Sequence, residues 1–233
     1  MIYENINKLK AEIEKTCYEC GRDFTEIKLI AVSKYFGINE ILEANRSGIE
    51  DFGENRAQEL VLKFDKLGNA VIWHFIGTLQ KNKVKYAVRC AEFIHSVDSL
   101  DLLIEIDKRA RLQNKIQKVL FEVKTSYEDT KSGLATEEEV FEIAEESKKL
   151  SNINVVGLMT ISPLTDDENL IRNSFRSLRI LKEKLNHNGF NYKELSMGMT
   201  SDFKIAVQEG STMLRIGSAI FGERDYNKDW RQI

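Results

Sequence analysis

Two polar segments near the end of the sequence carry residues suited to holding a phosphate group. Thr200 and Ser201 follow a short apolar run and precede a helical pattern. Gly217 and Ser218 directly follow the apolar run Met213–Ile216. Hydroxyl groups, glycine backbone and helix N-termini supply hydrogen-bond donors without steric bulk, which is what a phosphate requires. We therefore predict that these two loops form a phosphate site.

Two cationic side chains accompany these loops. Lys34 follows the apolar run 29–32, and Arg215 interrupts a second apolar run. A lysine amine among apolar neighbours loses hydration, so its pKa falls and it can attack an aldehyde. The alternative is a lysine whose stem is packed and whose ammonium reaches solvent. Arg215 requires a partner within its apolar run, and a bound ligand is one candidate.

These residues lie at the ends of strands in a regular alternation of strand and helix patterns. The predicted strands are 27–33, 49–52, 71–76, 93–97, 119–124, 155–160, 195–197 and 213–216. The predicted helices between them are 38–45, 57–67, 81–89, 100–112, 137–150, 167–185 and 203–209. Alternation of this kind is typical of a parallel sheet with helical crossovers.

Eight such units indicate an α/β fold, a single (β/α)8 TIM barrel over residues 1–233 with an extra N-terminal helix. An open doubly wound sheet is the alternative, but it favours a glycine fingerprint after the first strand. Here that strand is followed by Lys34, Tyr35 and Phe36.

The barrel hypothesis brings Lys34 and the two loops together. Function in such barrels lies at the C-terminal ends of the strands, and the first and last strands are neighbours. A ligand with an aldehyde at one end and a phosphate at the other could bridge Lys34 and the loops, and pyridoxal 5′-phosphate (PLP) is such a ligand. Arg215 would then face the pyridine nitrogen, disfavour its protonation and weaken the cofactor as an electron sink.

Composition and cysteine content exclude several other classes of protein. The net charge of −3 argues against nucleic-acid binding. No apolar run approaches the length of a membrane span, and the charged N-terminus is no secretory signal, so we expect a cytoplasmic protein. Cys17 and Cys20 form a CxxC within a helical pattern, but no further ligands accompany them, so we expect plain helix residues and no metal site. His74 and His95 lie in apolar runs, where a core or wall histidine is more common than a general base.

Several ordered motifs resemble the pyridoxal phosphate homeostasis protein family over essentially the whole chain. They are AVSKY at 31–35, FGENR at 52–56, WHFIGTLQKNK at 73–83, HSVDS at 95–99, GLMTI at 157–161, LSMGMTSDF at 195–203 and GSTMLRIGSAIFG at 210–222. The resemblance implies a barrel related to the N-terminal domain of alanine racemase. Arg56 stands where members often carry an aromatic residue, which puts a detailed role for that position in doubt.

The resemblance also implies roles for individual residues. Lys34 would form the Schiff base with PLP, and Arg215 would approach the pyridine nitrogen. The remaining implied positions are Thr200 or Ser201 with Gly217 and Ser218 at the phosphate, and Asn55, His74 and Met159 as walls of the pocket.

The function implied by the resemblance is holding, buffering or delivering PLP inside the cell, with PLP-dependent apo-enzymes as candidate partners. The alternative is a small fold-type III PLP enzyme such as an amino-acid racemase, which needs an acid–base group on each face of the substrate. Residues after Gly222 are too few for the second domain that supplies the other base in alanine racemases. We therefore expect no turnover, and a monomer or weak dimer. Lys124 and Lys131 could accept PLP during transfer or belong to a solvated loop.

Overall fold

Eight parallel strands close into a barrel in the computed structural model, which describes residues 1–126 and 132–223. Each strand pairs with the next, and the last pairs with the first. The strands are β1 (Lys28–Val32), β2 (Asp51–Glu54), β3 (Ile72–Phe75), β4 (Phe93–Val97), β5 (Gln117–Glu122), β6 (Ile153–Met159), β7 (Glu194–Ser196) and β8 (Met213–Ile216). The predicted α/β TIM barrel is therefore confirmed.

Helices surround the barrel and connect its strands. They are α1 (Ile2–Glu19), α2 (Ile38–Arg46), α3 (Ala57–Leu67), α4 (Val84–Cys90), α5 (Leu100–Arg111), α6 (Glu137–Ser147), α7 (Glu168–His187), α8 (Phe203–Gln208) and α9 (Ser218–Phe221). Short 3-10 turns occupy Phe24–Glu26, Gly68–Ala70 and Lys81–Lys83. The extra N-terminal helix is present, whereas α9 was not predicted because a helix of four residues is too short to show a helical period in the sequence.

The helix α1 packs against the last helices of the chain. Its buried residues recur at helical spacing, as Ile6, Leu9, Ile13 and Cys17 show. The side-chain amide of Asn5 donates to the backbone oxygen of Ile220 in α9 at 2.9 Å. Cys17 thus lies in the core as a plain helix residue, while the thiol of Cys20 is exposed at the end of the helix.

Alternate residues of the strands enter two separate apolar clusters. Most, such as Ala31 and Ile94, face the surrounding helices. The others form a small cluster inside the barrel: Ile30, Phe93, Leu120, Met159 and Met213. This alternation follows from the two-residue period of a strand, and the interior of the barrel is a packed core below the C-terminal ends of the strands.

Two strands, β2 and β5, are shifted from their predicted positions by two residues at both ends, because polar residues are buried in them. The strand β2 runs two residues later than the prediction, and it includes the buried carboxylates of Asp51 and Glu54. The strand β5 begins and ends two residues earlier, since Gln117 is fully buried and donates to the backbone oxygen of Glu92 at 2.8 Å. Hydrophobic runs alone could not locate these boundaries.

None of the helices in the described ranges combines the length and the apolar character needed to cross a bilayer. The longest, α7, carries charged residues along its whole length.

Candidate functional site

A cavity of about 730 Å³ opens at the C-terminal ends of the strands. It gathers most of the predicted site residues from segments that are far apart in the sequence. The predicted residues that line it are Lys34, Asn55, Thr200, Ser201, Arg215, Gly217 and Ser218, and the others include Val32, Arg56, Ile76, Gly77, Thr78, Glu122, Ile161 and Met199. The strands β7, β8, β1 and β2, which carry the predicted residues, are consecutive neighbours around the barrel.

Two predicted wall residues do not reach this cavity. His74 lies within β3, and the cavity wall beside β3 is formed by the later residues Ile76 and Gly77. Met159 is the last residue of β6, and its side chain packs in the inner apolar cluster. The sequence places a residue on the inner face of a strand, but it does not say at what depth. Lys124 is also absent from the lining, and Lys131 lies outside the described residues.

The turn that carries Lys34 is held from behind by carboxylates. The hydroxyl of Ser33 donates to Glu54 Oε1 at 2.6 Å, and the backbone N–H of Tyr35 donates to Glu59 Oε1 at 2.8 Å. Tyr35 adopts a φ of +70°, which is uncommon for a residue with a side chain. The hydrogen bond from its amide to Glu59 supports this conformation and so fixes the position from which Lys34 extends.

A buried lysine links the two carboxylates behind this turn. The ammonium of Lys63 lies 2.7 Å from Glu54 Oε1 and 2.8 Å from Glu59 Oε1, and it donates to the backbone oxygen of Ser33 at 2.8 Å. The side chains of Lys63, Glu54 and Glu59 are 2%, 0% and 1% exposed. Burial raises the pKa of Glu54 to about 7, although the ammonium of Lys63 opposes the shift. We call Glu54, Glu59 and Lys63 the ion cluster.

Arg215 enters the cavity from β8 with its guanidinium held by backbone and hydroxyl oxygens. Its Nη1 donates to the backbone oxygen of Ser196 at 2.6 Å and to Ser196 Oγ at 2.7 Å, and its Nη2 donates to the backbone oxygen of Thr160 at 2.9 Å. Among the described residues nothing accepts a hydrogen bond from its Nε. Burial lowers the pKa of Arg215 to about 10, so the group remains a cationic donor at neutral pH.

Glu122 is a residue of the cavity that the sequence did not reveal. It is the last residue of β5 and is only 7% exposed. Burial, and then the charge of Asp98, raises its pKa to about 7, while the charge of Arg215 opposes the shift. The predicted strand ran on to Lys124, which hid the position of Glu122 at the mouth of the barrel.

The two predicted phosphate loops are linked to each other and ordered by a buried carboxylate. Thr200 Oγ1 accepts from Ser218 Oγ at 3.2 Å, which joins the loop after β7 to the loop after β8. Asp202 accepts from the backbone N–H of Met199 at 2.6 Å and from the hydroxyl of Ser162. A methyl group at Gly198, where φ is +97°, would lie 2.5 Å from Ala206 Cβ, so only glycine allows this path out of β7.

Comparisons with known proteins show the family of this chain. Residues 4–225 match the family described as the alanine racemase N-terminal domain. A protein of Aquifex aeolicus named pyridoxal phosphate homeostasis protein is 40% identical to this chain, over 96% of this chain and 98% of that protein.

Two solved structures extend the comparison. PipY of Synechococcus elongatus PCC7942, solved with PLP bound, superposes with a TM-score of 0.85 at 31% identity, over 95% of this chain and all of that one. An alanine racemase of Clostridium difficile 630 superposes with a TM-score of 0.78 at 16% identity, over 97% of this chain and 58% of the racemase. At that identity the racemase shares the fold alone.

Proposed function

The chain belongs to the alanine racemase N-terminal domain family, and from that premise we propose that it binds PLP and serves intracellular PLP homeostasis. One observation carries the proposal: a single cavity gathers a lysine, a buried arginine and two linked hydroxyl loops. PLP is bound in the related PipY structure, and the Aquifex aeolicus relative is named for PLP homeostasis. The protein holds, buffers or delivers the cofactor.

The residues of the cavity fit PLP by their chemistry. The phosphate needs hydroxyl and backbone donors, which Thr200, Ser201, Gly217 and Ser218 supply. The pyridine nitrogen needs a donor, which Arg215 can provide. Asn55 also lines the cavity, and its buried amide oxygen has no hydrogen-bond partner among the described residues. A buried polar atom without a partner is costly, and a ligand would relieve that cost.

Each residue contributes to reversible holding. When bound, PLP supplies an aldehyde that condenses reversibly with a primary amine. Lys34 presents that amine from the turn that the ion cluster holds in place. Arg215, which stays cationic, keeps a proton off the ring nitrogen. The linked loops hold the phosphate by contacts that do not depend on the covalent bond, so the cofactor can be passed to another amine.

Glu122 keeps a second candidate function open, that of a small fold-type III PLP enzyme such as an amino-acid racemase. Racemisation needs two acid–base groups, and a carboxyl whose pKa is raised to about 7 by burial is suited to such work. Racemisation of L-alanine in deuterium oxide that disappears in Lys34→Ala would favour the enzyme. Its absence, together with measurable transfer of PLP to an apo-enzyme, would favour homeostasis.

The test of PLP binding is reductive trapping on the purified protein. After incubation with PLP and reduction with borohydride, peptide mapping should find the pyridoxyl group on Lys34. Lys34→Ala should lose the visible absorbance of bound PLP, while the matched control Lys124→Ala, which is outside the cavity lining, should keep it. Pyridoxyl groups spread over other lysines, with Lys34 unmodified, would contradict the assignment.

The same proposal covers the setting in which the protein works. The thiols of Cys17, Cys20 and Cys90 are all free, which suits a reducing cytoplasm. PLP-dependent apo-enzymes are the proposed recipients, and a monomer or weak dimer is the proposed state, to be measured by sedimentation.

A further inference from the structure

A continuous row of hydrogen bonds runs through the interior of the barrel below Arg215. Arg215 Nη1 lies 2.7 Å from Ser196 Oγ, which lies 2.9 Å from His95 Nδ1. His95 Nε2 lies 2.8 Å from His74 Nδ1, and His74 Nε2 lies 2.8 Å from Asp51 Oδ1. These contacts join residues of β8, β7, β4, β3 and β2. We call Ser196, His95, His74 and Asp51 the barrel relay.

The relay crosses the barrel from one end to the other. Ser196, His95 and His74 are fully buried. Arg215 lines the cavity at the C-terminal ends of the strands, whereas Asp51 is the first residue of β2 and lines a different cavity at the opposite end. Neither histidine lines the candidate functional site, although both belong to distinctive motifs of the sequence.

The protons of the relay can be assigned from its Arg215 end. A guanidinium only donates, so Ser196 Oγ must accept from Arg215. The hydroxyl proton of Ser196 then goes to its other neighbour, His95 Nδ1. A neutral imidazole that accepts at Nδ1 carries its proton at Nε2, so His95 donates to His74 Nδ1, and by the same rule His74 donates from Nε2 to Asp51.

The Asp51 end of the relay gives the same direction of hydrogen-bond donation, without reference to Arg215. A carboxylate only accepts, so His74 Nε2 must carry a proton. Burial favours the protonated acid, but the hydrogen bond from His74 and the charge of Lys28, 3.4 Å away, outweigh it and lower the pKa of Asp51. The reverse direction would set a nitrogen lone pair against this carboxylate. Burial, together with the charge of Arg215, holds the pKa of His95 well below its usual value, which opposes a cationic ring at this position.

We propose that the barrel relay positions Arg215, with His74 and His95 both fixed as neutral imidazoles protonated at Nε2. The relay orients the Ser196 hydroxyl toward His95, which leaves its lone pairs for the guanidinium. Glu122 lines the same cavity and attracts Arg215, so the relay opposes a turn of the guanidinium toward that carboxyl. The role toward the cofactor rests on the proposed function, whereas the tautomers are properties of the protein alone.

The first experiment reads the tautomers directly. The chain has three histidines, and His187 is exposed at the end of α7. Nitrogen-15 NMR of imidazole-labelled, PLP-free protein at pH 7 should show two neutral rings protonated at Nε2, assigned by loss of the third signal in His187→Gln. A cationic ring, or a proton at Nδ1, for either His74 or His95 would overturn the proposal, whether or not the protein binds PLP.

The second experiment breaks the relay at its smallest member. Ser196→Ala removes the linking hydroxyl but leaves the backbone oxygen of Ser196 and that of Thr160 to hold Arg215. We expect PLP binding to weaken about fivefold, the usual effect of one hydrogen bond, with a shift of the visible absorption band and a mixed tautomer signal for His95. Leu120→Val, a truncation in the inner cluster, is the control and should leave band and tautomers unchanged.

The outcomes separate the relay from the proposed function. Wild-type protein that does not bind PLP would overturn the proposed function, and the tautomers would still test the relay. A Ser196→Ala protein with wild-type affinity and an unshifted band would show that the relay does not act on the cofactor.

Discussion

The ion cluster and the barrel relay both support a residue of the same cavity, but they do so in opposite ways. The ion cluster holds the turn that carries Lys34, and the barrel relay holds the guanidinium of Arg215. The ion cluster lies between the barrel and α3, and its ammonium is in direct contact with both carboxyl groups. The barrel relay lies inside the barrel, and it separates the charges of Asp51 and Arg215 by neutral groups. When one member of a buried ion pair is removed, the other charge is left uncompensated, which strongly destabilises the fold. Each hydrogen bond between neutral groups contributes less to the free energy of unfolding, but it fixes the orientation of the groups that it joins. We therefore expect loss of a residue to cost most in the ion cluster.

Removal of the ammonium group of the ion cluster should lower the free energy of unfolding by the largest amount. Lys63→Met leaves Glu54 and Glu59 buried without their partner, and breaking such a pair costs about 3–5 kcal/mol. Urea denaturation at pH 7 measures the free energy of unfolding. Lys66→Met, on the exposed side of α3, is the matched control and should change it by less than about 0.5 kcal/mol. A Lys63→Met protein as stable as the control would show that the charges do not depend on each other.

Glu122 tests how much free energy of unfolding is lost when a carboxyl is buried without an ion pair among the described residues. Its pKa is raised from 4.5 to about 7 in the folded protein, so folding favours the protonated acid. The contribution of this raised pKa to the free energy of unfolding is complete below about pH 4.5 and is lost as the pH rises to about 7. Glu122→Gln should remove this dependence and stabilise the protein at pH 8 by up to about 3 kcal/mol. If the free energy of unfolding varied equally with pH between pH 5 and 8 in the wild-type and Glu122→Gln proteins, the raised pKa would be contradicted.

Neutralising the far end of the barrel relay should have the smallest effect. Asp51→Asn keeps an oxygen that can accept from His74 and removes only the charge, so we expect a loss of about 1 kcal/mol of unfolding free energy. The same NMR experiment should show His74 still protonated at Nε2. Asp51→Leu removes the acceptor as well and serves as the comparison. If Asp51→Asn destabilised as much as Lys63→Met, the contrast between the two networks would be wrong.

The sequence predicted the residues at strand ends better than those within strands. Lys34, Arg215 and the two loops stand out because a cation or a polar pair interrupts an apolar run, and the barrel then brings them to one end. The wall role of His74 was implied by the resemblance and stays a prediction, since His74 does not line the cavity. The two-residue period gives the face of a strand and not the depth of a residue in the barrel.

Contacts between distant segments could not be predicted from local patterns. The pair Glu59 and Lys63 has the i, i+4 spacing of a helix face, but their link to Glu54 arises only when α3 packs on β2. His95 and Ser196 are 101 residues apart, and only closure of the barrel brings them within hydrogen-bond distance.

The attachment of α1 has a consequence for the order of folding during synthesis. The helix α1 leaves the ribosome before the strands of the barrel, yet Asn5 bonds to Ile220, 215 residues later. Arg22, just after α1, donates to the backbone oxygens of Val207 and Ser211. The native contacts of α1 therefore cannot be completed until Ile220 has been made. Such long sequence separations slow folding, and until then the apolar stripe of α1 lacks the contacts with α8 and α9 that it makes in the folded protein.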